Sequence, residues 1–86
     1  MEAKEQLQSF LEFAVGGIAS DPEALEIVCT EESEKSFKYQ VRVGDEDVPK
    51  VVGKSGFTAS AIRSLLKVGA EKLGVEANLR VDGAKR

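Results

Sequence analysis

Two alternating apolar/polar runs, far apart in the chain and separated by helical patterns, constrain this sequence more than any other feature. Phe37, Tyr39, Val41 and Val43 alternate with Lys38, Gln40 and Arg42; Ala77, Leu79 and Val81 alternate with Asn78, Arg80 and Asp82. Period-two alternation marks a strand with one buried and one wet face. Two strands joined through helices lie parallel, and such a crossover is right-handed almost without exception. The helices of the connection must then cover the apolar face of the sheet.

The other segments fit around this unit. Leu7, Phe10, Leu11, Ala14 and Ile18 recur at helical spacing and predict a helix over 3–18, its last turn loosened by Gly16-Gly17. Ser20-Asp21-Pro22 reads as a cap residue followed by Pro at a first helical position, so one short turn follows. Leu25 to Thr30 is strand-like, with Leu25, Ile27 and Cys29 on one face. The polar turn 31–35 folds it back as a hairpin on the strand 36–43. Asp47 stands as the cap of a short helix, 48–52, with Pro49 in its first turn. A longer helix starts after Gly56 and runs to about Leu73, its stripe Ala59, Ile62, Leu65, Leu66, Gly69 and Leu73, with Gly74 as its terminator. The order is helix, strand, strand, short helix, longer helix, strand: an α+β, two-layer domain with a three-stranded mixed sheet and its helices on one face.

Eighty-six residues make one domain, 1–86, with a core over about 3–82 and a flexible basic tail at 83–86. A chain of this length buries only about two-thirds of its unfolded surface. The single cysteine, Cys29, cannot form an internal disulfide and fits a reducing compartment as a small core residue. The polar, acidic start and the lack of any apolar run approaching ~20 residues point to a cytoplasmic protein with no membrane partner. Histidine is absent, which removes the commonest acid/base and metal ligand, and the acids gather in turns. No cofactor, metal or catalysis is expected. Asp45-Glu46-Asp47, the one run that could attract a divalent ion, reads better as a turn and a cap.

The net charge of −3 is unevenly spread. Residues 2–34 hold nine acids against Lys4 alone, whereas 48–73 hold Lys50, Lys54, Arg63, Lys67 and Lys72 against Glu71 alone. The cationic stretch contains Gly53-Lys54-Ser55-Gly56, which interrupts the two helices. Glycines there let an extended chain approach the backbone closely. The helix that follows offers unpaired N–H groups and a partial positive charge to a phosphate. Lys54 adds a point charge and Ser55 a hydroxyl, while Val52 and Ile62 would floor an adjacent apolar groove. A glycine-rich helix–helix turn packed for its own sake remains the alternative. Gly53-Lys54-Ser55 also resembles the end of the nucleotide-binding Gly-x-x-x-x-Gly-Lys-Ser loop, but the first glycine is replaced by Val48 and no strand leads in.

Val51-Val52-Gly53-Lys54-Ser55-Gly56, followed by Ala59, Ala61, Ile62 and Arg63, resembles the signature of the KH family. The element order resembles its type II arrangement. Asp21-Pro22-Glu23 and the layout of residues 3–82 resemble the small single-KH group named after KhpA (also YlqC). The resemblance implies single-stranded RNA binding, the loop holding about four nucleotides of backbone while bases rest in the groove and the last strand forms its other wall. RNA contacts are then expected from Val52, Gly53, Lys54, Ser55, Gly56, Phe57, Ile62, Arg63 and Lys50. It also implies a role as a small RNA chaperone or regulator, acting as a homodimer or with a larger KH-containing protein of the KhpB (Jag, EloR) type. Phe57 and Thr58 depart from the family pattern, which usually carries Arg or Lys and often Ile there. The lost charge weakens phosphate attraction, and Phe57 either stacks on a base or enters a protein interface. The competing functional class is a protein-interaction module that keeps the fold with little RNA affinity.

Overall fold

The computed structural model describes residues 2–83. Helix α1 spans Ala3–Gly16, strand β1 Glu26–Ser33, strand β2 Ser36–Val43, helix α2 Val48–Val52, helix α3 Phe57–Lys72 and strand β3 Glu76–Gly83. Short 3-10 turns at Pro22–Ala24, Asp45–Asp47 and Lys54–Gly56 join them. The sheet order is β1-β2-β3, with β1 antiparallel and β3 parallel to the central β2. Tyr39 is the cross-strand partner of both Cys29 and Leu79, and Val41 of both Ile27 and Val81, so the alternating apolar sets share one face. This is the α+β architecture expected, with the parallel crossover running through α2 and α3.

The core forms where that face meets the helices: Tyr39, Leu11, Leu66, Val15, Val41, Val43 and Val51 are fully buried. The Tyr39 hydroxyl donates to the Lys4 carbonyl at 2.7 Å, tying β2 to the start of α1. Cys29 is half-buried against the core, and burial raises its thiol above the usual range, as befits an inert packing residue. No helix among the described residues is long and apolar enough to cross a membrane.

Helix α3 ends in a Schellman motif. The Val75 N–H reaches the Ala70 carbonyl, the Gly74 N–H reaches Glu71, and Gly74 takes a φ of 76°. Other expectations shift in detail. Strand β1 continues through Glu31-Glu32-Ser33, where a bulge adjusts the register, so the turn is shorter than the polar run suggests. Helix α1 ends at Gly16 and buries Val15 alongside Leu7 and Leu11. Helix α3 buries Ala59, Ile62, Leu66 and Ala70, whereas Leu65 and Leu73 stay exposed. Gly83 closes β3 instead of starting the tail, and residues 84–86 lie outside the described residues.

Candidate nucleic-acid interface

The segment 53–56 is a true break between helices. Gly53 ends α2 with φ 81° and ψ 173°, Ser55 takes φ 55° and ψ 25°, and Gly56 takes φ 78° and ψ 10°. A side chain on Gly53 would be both strained and obstructed, since its Cβ would fall 2.7 Å from the Thr58 Cβ and 2.8 Å from the Thr58 nitrogen. Gly56 is required only by its backbone, because nothing lies within 4 Å of where its Cβ would be. Ser55 is the one described non-glycine residue with positive φ, and such a conformation persists only when its surroundings enforce it.

The loop's own turns use the Gly53 N–H (to the Pro49 carbonyl), the Gly56 N–H (to the Gly53 carbonyl) and the Phe57 N–H (to the Lys54 carbonyl). Lys54 and Ser55 are exposed at the tip, where the opening turn of α3 also presents N–H groups without intrahelical partners. An anion approaching here meets main-chain amides, a lysine and the positive end of a sixteen-residue helix.

Helix α3 leaves the loop packed against β3, and we call the strip between them the trough. Strand β3 is a sheet edge, so its outer side carries main-chain groups that no strand pairs with among the described residues. Arg63 crosses the trough, its Nη2 donating to the Leu79 carbonyl at 3.4 Å. Val52 is half-buried next to the loop, but Ile62 is only 6% exposed and belongs to the core, beneath the surface it was expected to line. Lys67, one turn beyond Arg63 and absent from the sequence expectation, lines the farther part of the trough.

Lys50 is engaged elsewhere. Its Nζ donates to the Ser20 hydroxyl and lies 3.7 Å from the Asp47 carboxylate. Asp47 occupies the cap position of α2, yet its side chain caps nothing there. It turns instead to accept from the Ser20 hydroxyl at 2.6 Å and the Asp21 N–H at 3.1 Å. Those bonds, Ser20 first, and the charge of Lys50 hold the carboxyl below its ordinary range, although the residue is 1% exposed. Lys50 thus serves the root of α2, and its charge is partly spent before any ligand arrives. Among the described residues no group of three or more His, Cys, Asp or Glu converges to hold a metal.

Phe57 is 73% exposed and faces away from the trough. It heads a row on α3 with Ala61, Leu65 and Val68, at spacings of four, four and three, whereas Arg63 and Lys67 point toward β3. Leu65 also borders an open apolar groove shared by Phe10 and Leu73, between α1 and α3.

Three helices on one face of a β1-β2-β3 mixed sheet, with a Gly-x-x-Gly break between the crossover helices, define a type II KH domain. The pattern of the KhpA/KhpB, KH domain family matches residues 8–82. Two curated bacterial proteins, each called RNA-binding protein KhpA, are similar to the chain. The one from Leifsonia xyli subsp. xyli is 36% identical over 61 residues, 71% of this chain and 79% of that protein. The one from Chlamydia caviae is 28% identical over 75 residues, 87% of this chain and 95% of that protein. The chain belongs to the KhpA/KhpB KH-domain family.

Proposed function

We propose that this chain is a single-domain RNA-binding module of the cytoplasm, not an enzyme, which holds single-stranded RNA along the 53–56 loop and the trough beside it. The observation that carries this reading is the open loop: Lys54 and Ser55 are exposed over the opening turn of α3, and both glycines take conformations that keep the break from closing into a continuous helix. The similarity to proteins named for RNA binding supports it. Of the residues expected to contact RNA, Gly53, Lys54, Ser55, Gly56 and Val52 form the loop and its shoulder, and Arg63 serves the trough. Ile62 supports it from below, and Lys50 acts indirectly through the root of α2.

Changing Lys54 to Asp together with Ser55 to Asp leaves the circular dichroism spectrum and melting temperature near wild type and abolishes RNA binding at low salt. Retention of wild-type affinity by the double variant would remove the loop from the interface. Wild-type affinity should fall with salt at a slope of about −0.7 for each phosphate neutralised.

A second activity, self-association or pairing with a larger KH-containing protein of the KhpB type, is favoured by the Phe57–Val68 row. An exposed apolar row of this length on a small domain suits a protein contact. Because the row faces away from β3, a dimer built on it leaves both troughs open and gains avidity for one RNA, as a small RNA chaperone would. Sedimentation of Leu65→Glu against wild type tests this: a shift of wild-type dimer to monomer is expected, and identical sedimentation would discard the row as an interface.

A further inference from the structure

The geometry points to a second nucleotide subsite at the far end of the trough, one that takes a base carrying an exocyclic amino group. The inference rests on the RNA-binding reading of the trough and extends it beyond the nucleotides at the loop. An open cavity of about 320 Å³ lies between the C-terminal half of α3 and the start of β3, lined by Lys67, Ala70, Glu71, Val75, Glu76 and Ala77 among others. Arg63, bonded to the Leu79 carbonyl, bridges α3 and β3 between this cavity and the loop, so the cavity lies apart from the loop end of the helix.

Its lining suits a planar base. Ala70 and Ala77, 1% and 4% exposed, belong to the core and close the cavity's floor with short side chains, while the longer and exposed Lys67, Glu71 and Glu76 stand around it. The wall on the strand side supplies main-chain groups. The Glu76 N–H donates to the Lys35 carbonyl and so points toward β2. Main-chain direction alternates along a strand, which turns the N–H and C=O of Ala77 and Leu79 outward. The Leu79 carbonyl confirms the phase by meeting Arg63. Ala77 therefore offers one donor and one acceptor to whatever occupies the cavity.

Charge then selects the occupant. Glu71 and Glu76 bring two carboxylates to the rim, which repel a phosphate inside the cavity but accept hydrogen bonds from an amino group. Lys67 supplies the cation that keeps the nucleotide's own phosphate at the mouth. Adenine, cytosine and guanine each carry an exocyclic amino group that can donate to a carboxylate; uracil offers only its N3–H on that edge, flanked by two carbonyl oxygens that the carboxylates repel. The subsite discriminates amino-bearing bases from uracil through their Watson–Crick edges, the mode by which single-stranded RNA is read.

Fluorescence anisotropy at low salt with end-labelled RNAs tests the assignment: a uridine tetramer, a uridine octamer, and octamers with four uridines joined at either end to four cytidines. One mixed octamer is expected to bind roughly tenfold more tightly than the uridine octamer. Glu71→Gln combined with Glu76→Gln should reduce that ratio toward one. Removing two acids raises affinity for every RNA through charge alone, so the ratio, not the affinity, is the readout. Equal binding of all octamers by wild type, or a ratio unchanged in the double variant, overturns the subsite while leaving the loop reading intact. Failure of wild type to bind any of these RNAs overturns both. Amide shifts across residues 67–78 with the mixed octamer, and not with the tetramer, locate the contact independently.

Discussion

Gly53 and Gly56 look equivalent in the sequence, but their surroundings divide them. Gly56→Ala incurs only the left-handed backbone penalty, about 1–2 kcal/mol. Gly53→Ala adds overlap with Thr58 to the same penalty, so urea denaturation should show it to be the more destabilising of the two. Tyr39→Phe leaves the packing of a fully buried ring intact and deletes its bond to the Lys4 carbonyl, with an expected loss of about 1 kcal/mol. Asp47 makes stability depend on pH. Its folded-state carboxyl lies below the ordinary 3.8, so its contribution is fully present above that value and disappears as pH falls through the lower folded value. Asp47→Asn should therefore be less stable than wild type at neutral pH, with the gap narrowing in acid-titrated melts below about pH 3.8. None of this could be read from the chain order, because Ser20 and Asp47 are 27 residues apart and meet only once the sheet has formed.

At the level of elements, α3 carries two apolar faces, and this explains where the sequence was legible. The crossover and its strands follow from periodicity, since strands buried on one face must alternate and β2 sits between two partners. Helical spacing alone could not assign the faces of α3, for Leu65 and Leu66 fall on adjoining rows and only the sheet decides which is inside. Small residues carry a weak signal, so Ala70 was missed although it packs more completely than Leu73. The acidic end of β1 was hidden because an exposed edge strand needs no alternation. For the candidate site, the loop stood out through glycines whose backbone conformation is demanding, the last strand's part in the groove came only from the family resemblance, and Lys67 depended on tertiary placement. The consequence for α3 is measurable: Leu66→Ala should cost roughly 2–5 kcal/mol, and Leu65→Ala no more than about 0.5 kcal/mol, in the same denaturation experiment.

For the whole molecule, the sheet and the site cannot be separated. The β1–β2 hairpin closes locally across a two-residue turn, and α1 docks on it, whereas β3 pairs with β2 across a connection that contains both crossover helices. Closing so long a connection is entropically expensive and belongs late in assembly. Until then the 53–56 loop has no opposite bank: Arg63 lacks its carbonyl and the cavity beside Ala77 does not exist. On the RNA-binding reading proposed above, a chain with β3 undocked would still display the glycine loop to a polyanion but would have nowhere to lay a base, so base discrimination would require the complete sheet.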